Sequence, residues 1–513
     1  MASLAARWNV AGYLKGRYMQ VKSIVLHNIG QFEELVVPLA PLTENAPKVT
    51  VFIGNNGSGK TTVLKSLATA LSWLPARIRS ERGRGLEIPK DVISNGQPSG
   101  MVVLNVTESG QIFQWQLSKA QKGKKNQFNT DLKAVSALAD NYRTALTENQ
   151  PVNLPLLVFY PVERSVLDIP LRIKGKHKFE HFEAYDNALE MGVDFRRFFE
   201  WFRNREDIEN EENSSHRTKE MGEDVSRYNE MASRSLDILD EIYEDNIKLN
   251  KISKAPRKNS AEIKSIKEKI EGNIRLVSSI KQEIRSLERQ EYIKKDTQLE
   301  AVRNTIQKFT DFSKIKVQRK PNLRLVVQKH GNKFVVQQLS QGEKSLMALV
   351  GDIARRLAML NPNLENPLEG CGIVMIDEAD LHLHPQWQRQ LIARLTKTFP
   401  NCQFVLSTHS PLVISDSKDI VVYSLENGEM VQIPSQYGQD ANTVLLEVMD
   451  TAYRNELITN ELSSLIDLIQ DNRIDEAKKK LQDLQRELPQ NHLELSKAQL
   501  LLRKQEIRHA KNQ

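Results

Sequence analysis

The sequence predicts an α/β fold: a mixed β-sheet with helices, built around a phosphate-binding loop, interrupted by an inserted helical coiled-coil arm and closed by a C-terminal helical tail. Three observations predict it. The first is Gly54-Asn55-Asn56-Gly57-Ser58-Gly59-Lys60-Thr61, which fits G-x-x-x-x-G-K-[ST] between the apolar run Val49–Ile53 and a helix-like stretch from Thr62 to Leu74. The second is a set of short strand-like segments, the apolar runs Leu154–Tyr160 and Ile373–Ile376 and the mostly apolar Gln403–Leu406, which read as buried parallel strands and are followed by polar residues. The third is the stretch from 204 to 310, which has almost no Gly or Pro and is rich in Glu, Lys, Arg, Ile and Leu.

Length and composition bound the rest. A chain of 513 residues suggests about three domains, and 40% apolar with 27% charged residues is a globular composition. No apolar run approaches the roughly 18 residues of a spanning helix, so no membrane role is expected. Residues 1–18 hold Arg7, Lys15 and Arg17, lack a signal-peptide core, and read as a leader ahead of Met19. Cys371 and Cys402 have no neighbouring Cys or His pair, which argues against a disulfide or zinc and fits a reducing cytoplasm. The net charge of +7 permits contact with nucleic acid without requiring it.

In the phosphate loop, Gly54, Gly57 and Gly59 let backbone N–H groups and a helix N-terminus face an anion. Lys60 is placed to reach the β and γ phosphates of ATP, Thr61 to ligate Mg2+, and Thr62 to supply a weaker second hydroxyl. Before the loop, Val21–Leu26 and Leu35–Leu39 read as strands turned at Gly30. After it, Met101–Val106 and Ile112–Leu117 read as a hairpin across Glu108-Ser109-Gly110, followed by a basic loop with Lys119, Lys122, Lys124 and Lys125. Glu163 and Arg164 stand beyond the next strand, near where a ligand crevice opens in α/β sheets.

The arm keeps a seven-residue register. Ile263, Ile270, Val277 and Ile284 fall on one heptad position and Ile266, Asn273, Ile280 and Leu287 on the other, with Val225, Tyr228, Leu239, Ile242 and Leu249 as a looser first half. Pro256 within residues 251–260 breaks the pattern, predicting an antiparallel hairpin. Residues 251–295 carry thirteen Lys/Arg against six Glu, which suits either a solvated surface or a phosphate backbone. The expected domains are a leader at 1–18, an N-terminal head lobe at 19–200, the insertion at 201–316, a C-terminal head lobe at 317–440 and a helical region at 441–513.

Ile373–Glu378 is a strand ending in two carboxylates: Asp377 would hold Mg2+, and Glu378 would polarise the attacking water. Leu339-Ser340-Gln341-Gly342-Glu343-Lys344-Ser345 resembles the signature motif of ABC-type ATPases, with Gln341 in place of the first glycine. Ala379–Pro385 resembles the D-loop that follows, and His409 the switch histidine that contacts the γ phosphate. His382 and His384, two apart with no third ligand, read as part of a subunit-contacting turn rather than a zinc site. Together the motifs resemble an ABC-type ATPase head of the SMC, RecF and OLD group. That resemblance implies that Ser340, Gln341, Gly342 and Glu343 complete the nucleotide site of a second copy, giving a homodimer or higher oligomer with ATP sandwiched.

The runs Leu346–Ala358, His382–Arg389 and Phe399–Pro411, with amphipathic helices over Leu465–Leu488 and Leu493–Ile507, look like the PtuA ATPases of Septu-type and retron-associated antiphage systems. The resemblance implies an ATPase that works with a separate HNH nuclease, and in retrons with a reverse transcriptase and its RNA-DNA product. The hundred or so residues after His409 show no acidic triad or His-Asn-His set, so no nuclease site is expected there. A DNA-repair or DNA-binding ATPase of SMC or RecF type, and an ATP-bound scaffold with little turnover, are the alternative readings.

Overall fold

Continuous apolar runs need both faces of a sheet covered, and Val49–Ile53, Leu156–Tyr160, Gly372–Ile376 and Cys402–Ser407 are buried at every position. The computed structural model describes residues 19–40, 48–148, 152–162, 181–190, 195–253, 260–287, 295–449, 455–489 and 492–511. The leader, Glu163, Arg164 and Pro256 lie outside the described residues, as do the side chains of Val225, Tyr228, Ile284 and Leu287. The strands are β1 (Gln20–Ile29), β2 (Phe32–Pro38), β3 (Val49–Ile53), β4 (Ser99–Glu108), β5 (Gln111–Ala120), β6 (Leu156–Tyr160), β7 (Ser313–Gln318), β8 (Arg324–Lys329), β9 (Asn332–Val335), β10 (Gly372–Ile376), β11 (Cys402–Ser407), β12 (Ile420–Glu426) and β13 (Glu429–Ile433). The helices are α1 (Lys60–Leu71), α2 (Trp73–Arg79), α3 (Lys133–Thr147), α4 (Phe195–Ser253), α5 (Ser260–Leu287), α6 (Thr297–Thr310), α7 (Gln341–Leu360), α8 (Pro385–Thr398), α9 (Pro411–Ser415), α10 (Ala441–Glu447), α11 (Glu456–Gln470), α12 (Ile474–Glu487) and α13 (Leu493–Lys511).

The described residues group into two compact units, one from the segments 1–150, 155–163 and 371–513, the other from 151–154 and 164–370. The first unit holds two sheets. One is antiparallel, in the order β2-β1-β4-β5. Its β4–β5 turn uses Ser109 and Gly110 at positive φ, the backbone twist that a two-residue hairpin prefers. The other runs β13-β12-β3-β11-β10-β6, parallel except for the edge strand β13. Gln403, fully buried on β11, joins the sheets: its amide donates to the carbonyls of Val21 (2.9 Å) and Ala40 (2.7 Å) and accepts from Val21 N–H (2.9 Å). A buried amide is stable there because every polar atom is answered.

The tail of this unit is a three-helix bundle, α11 to α13, closed around Leu462, Leu465, Ile469, Leu481, Leu484 and Leu495. The sequence pattern runs as one helix from Leu465 to Leu488, but the structure breaks it after Gln470. Asn472 takes a left-handed backbone (φ 61°), and the chain folds back so that both halves bury their leucines.

The second unit contains the arm, the sheet β7-β8-β9 and the almost wholly buried α7. Asp352 on α7 is fully buried between Arg355 (2.6 Å) and Arg356 (2.7 Å), and Arg356 also donates to the Ala184 carbonyl. Burial alone would raise the Asp352 carboxyl, but the two guanidinium groups override it and hold the group below its ordinary value. In the arm, Lys269 meets Asp245 at 2.9 Å, Asn273 meets Glu241 at 3.3 Å, and Val277 and Ile280 pack on Ile238. Residue numbers rise along α5 as they fall along α4, so the two helices are antiparallel. The heptad residues Ile270, Val277 and Ile280 form the buried seam. At the arm's base Arg303 of α6 joins Glu209 (3.0 Å), Glu300 (3.0 Å) and Glu206 (3.3 Å), with its guanidinium over the Phe202 ring.

Candidate nucleotide site

A glycine loop between a strand and a helix forms where side chains would obstruct, and two of the three loop glycines show the obstruction. A Cβ on Gly59 (φ 90°) would fall 2.4 Å from the Phe32 ring, and one on Gly54 (φ 134°) would fall 2.2 Å from the Leu425 carbonyl. Gly57 (φ 83°) has open space beside it, so its need is the backbone angle alone. Ser58 N–H closes a turn on the Asn55 carbonyl (3.1 Å), and the Gln31 side chain donates to the Ser58 carbonyl from the β1–β2 turn. Asn55 and Asn56 stand at the exposed rim.

Lys60 opens α1 with its ammonium held by the carbonyls of Gly54 (2.8 Å) and Asn55 (2.9 Å). Burial lowers its pKa, and the carboxylates of Asp377, Glu378 and Asp380 only partly oppose the shift. Thr61 hydroxyl donates to Asp377 Oδ2 at 2.7 Å, across 316 residues of sequence. Thr62 is half-buried, one residue on.

Asp377 follows β10, and its N–H is taken by the Tyr160 carbonyl (2.9 Å) at the end of β6. The Ser407 hydroxyl, from the end of β11, donates to Asp377 Oδ1 and accepts from Glu378 N–H at 2.7 Å. Glu378 itself takes φ 45°, a left-handed conformation unusual for a residue with a side chain. Asp380 then accepts from the Thr408 hydroxyl and from His409 N–H (3.2 Å), leaving the His409 ring exposed. The strand ends thus gather Lys60, Thr61, Asp377, Glu378 and His409 in the first unit. Hard oxygen donors from Thr61 and Asp377, within hydrogen-bond distance of each other, suit a divalent cation such as Mg2+. His384 is the N-cap of α8, its Nδ1 accepting from Gln386 N–H at 3.3 Å, and His382 is exposed at φ 62°.

Ser340, Gln341, Gly342 and Glu343 lie in the second unit, where Ser340 is the N-cap of α7. Glu343 accepts from Ser340 N–H (2.9 Å) and from the Ser340 hydroxyl (2.8 Å), while Glu343 N–H donates back to the hydroxyl (3.3 Å). Burial would raise the Glu343 carboxyl, yet its bonds to Lys329 and Ser340 hold it below the ordinary value. Gln341 occupies the first helical position with its side chain exposed, so the absent glycine leaves the helix start intact.

Residue patterns alone did not assign Ser407, Asp380 or Gln31. The signal available was Ser407-Thr408 at the end of an apolar run, opposite a strand that ends in Asp-Glu.

The AAA ATPase domain family matches residues 19–414. The Retron Ec83 probable ATPase of Escherichia coli is 34% identical over 456 residues, covering 86% of this chain and 78% of that protein. The Retron Vc95 probable ATPase of Vibrio cholerae serotype O1 biovar El Tor is 32% identical over 475 residues, covering 89% and 84%. Septu protein PtuA of Bacillus mycoides (strain KBAB4) is 35% identical over 133 residues, 25% of this chain and 18% of that protein. Among solved structures, the Smc head domain with an extended coiled coil bound to the C-terminal domain of ScpA, from Pyrococcus furiosus, covers 84% of this chain and 99% of that chain, with 12% identity and a TM-score of 0.38. Among the described residues no helix is long and apolar enough to cross a membrane.

Proposed function

The chain belongs to the AAA ATPase domain family and, within it, to the PtuA- and retron-type ATPases; from that premise we propose that it hydrolyses ATP with Mg2+ in a head-to-head dimer and so controls a separate nuclease in an antiphage defence complex. The observation that carries the chemical part is Asp377 bonded at once to Thr61 and Ser407, with Glu378 held next to it.

In this reading the backbone from Gly54 to Gly59 wraps the phosphates, and Lys60 exchanges loop carbonyls for phosphate oxygens. Thr61 and Asp377 are the metal ligands; a bound Mg2+ would neutralise charge developing on the phosphoryl oxygens. Glu378 accepts the proton of the attacking water, and its backbone, fixed by Ser407, sets where that carboxylate points. His409 reaches the γ phosphate. Ser340 to Glu343 of a second copy close the site, offering a helix N-terminus whose dipole favours an anion.

The relatives carry retron and Septu names, which favours a defence setting; we propose in addition that the nuclease is of HNH type and that a reverse transcriptase with its RNA-DNA hybrid joins the complex. The C-terminal bundle, with its own core, suits a docking role for that nuclease. A second reading, a DNA-binding ATPase of SMC or RecF type, draws on the antiparallel arm. The two separate on co-purification from the native operon: recovery of an HNH nuclease and a reverse transcriptase favours the first, their absence with ATP-stimulated duplex binding the second. For the chemistry, Glu378→Gln is expected to keep nucleotide binding while turnover falls about 10²- to 10⁴-fold. Phosphate release at the parental rate would remove Glu378 from its role.

A further inference from the structure

Residues 77–90 and 119–133 carry ten Lys/Arg against three Asp/Glu, a surplus of seven that equals the formal net charge of the whole chain. The two segments lie together in the first unit. Lys119 is paired with Glu87, and the Gln121 side chain donates to the Lys90 carbonyl at 3.1 Å. Arg82, Arg84, Lys90, Lys122, Lys124 and Lys125 are all exposed on the face they form.

That face is built rather than loose. In the second segment Ser118 N–H donates to the Thr130 hydroxyl (3.0 Å), Asn126 donates to the Ser118 hydroxyl (2.9 Å), and Gln127 N–H donates to Ser99 Oγ (3.1 Å). The first segment is tied to the end of α1, where Leu86 N–H meets Ser72 Oγ at 2.7 Å and Trp73 Nε1–H meets the Leu86 carbonyl at 2.9 Å. Helix α1 starts at Lys60 and spans about 18 Å, so one short helix separates the face from the phosphate loop.

We propose that this face binds the phosphodiester backbone of nucleic acid without reading its sequence. Its chemistry favours that occupant over an acidic protein. Protein interfaces centre on aromatic or aliphatic anchors with charges at the rim, whereas no large hydrophobic side chain of 77–90 or 119–133 is exposed. Cations interleaved with Asn, Gln and Thr side chains and glycine-punctuated backbone are what phosphate contacts use. Binding here stands independently of any nuclease partner, because the full-length chain alone suffices to measure it.

The test is fluorescence anisotropy of a labelled duplex, single strand and RNA-DNA hybrid against the full chain, titrated between 50 and 200 mM salt. The variant is Arg82→Glu/Arg84→Glu/Lys122→Glu/Lys124→Glu. Affinity is expected to fall at least about tenfold, and the slope of log K against log salt to shrink by roughly three to four, as each lost phosphate contact removes nearly one unit. Binding of a fluorescent ATP analogue, made by none of these residues, reports whether the variant is folded. If it is not, Lys122→Ala/Lys124→Ala/Lys125→Ala is measured the same way, with a slope smaller by two to three expected. Parental affinity and slope in the folded variant overturn the proposal. So does a parental chain that binds anionic vesicles but no nucleic acid, or a loss seen only when Lys264 and Lys267 of the arm are reversed.

Discussion

Around Asp377 the bonded partners come from far along the chain, Thr61 at 316 residues and Ser407 at 30, whereas Ser340 bonds Glu343 three residues on, and Glu343 in turn holds Lys329 fourteen residues back. The first cluster exists only when three strand ends and a helix start have been brought to one edge. The second is a helix cap that assembles with its own helix. The difference suits the two to different tasks. A catalytic cluster that must hold charge and water in fixed places needs many distant anchors. A surface presented to another copy needs only to keep its local shape.

Removing the centre of the long-range cluster is the strongest way to break this contrast. Asp377→Ala leaves the Thr61 and Ser407 hydroxyls without their acceptor in a buried place, and it removes a metal ligand. Turnover is expected to fall by about a thousandfold or more, with stability lower by about 1–3 kcal/mol. Phosphate release within tenfold of the parent would remove Asp377 from metal binding.

A mixing experiment sharpens the contrast next. Lys60→Ala and Ser340→Arg chains are each expected to be nearly inactive, but mixed in equal amounts they should recover about a quarter of parental turnover. Half of the dimers then pair unlike chains, and each such dimer holds one site with both halves intact. No recovery would mean that Ser340 does not act across the dimer.

The smallest expected effect is on pH dependence. Because burial lowers the Lys60 pKa, its charged form is present below that lowered value and is lost as pH rises through it. Nucleotide affinity should therefore decline on the alkaline side before pH 10.5, the ordinary value for a lysine. A curve flat to that point would show that no lowered Lys60 pKa governs nucleotide binding.

The sequence shows the loop, the two carboxylates and the signature as contiguous words, because each is a short segment whose residues act together. The buried strands and the second half of the arm seam were equally legible, since burial on both faces and packing along a helix leave periodic traces; in the looser first half the heptad reading is off by one residue, for Ile238 enters the seam and Leu239 is exposed. What was not legible has no period. Gln403 tying β11 to Val21 and Ala40, Ser407 joining Asp377 to Glu378, and Arg303 reaching Glu206 and Glu209 are pairings across tens to hundreds of residues. Each is a single polar residue in an otherwise ordinary segment. The break in the tail at Asn472 was hidden for a related reason: leucines on both sides keep helical spacing, and only the left-handed asparagine interrupts it.

The 59 residues of α4 form a rod about 88 Å long. A one-degree tilt at its Phe195 end displaces the Ser253 end by about 1.5 Å, the rise of one helical residue. Arg303 grips that rod through Glu206 and Glu209, near its Phe195 end, so a small shift at the clamp is magnified towards Ser253. Loosening that clamp would therefore widen the excursion of the far end without any change at the tip.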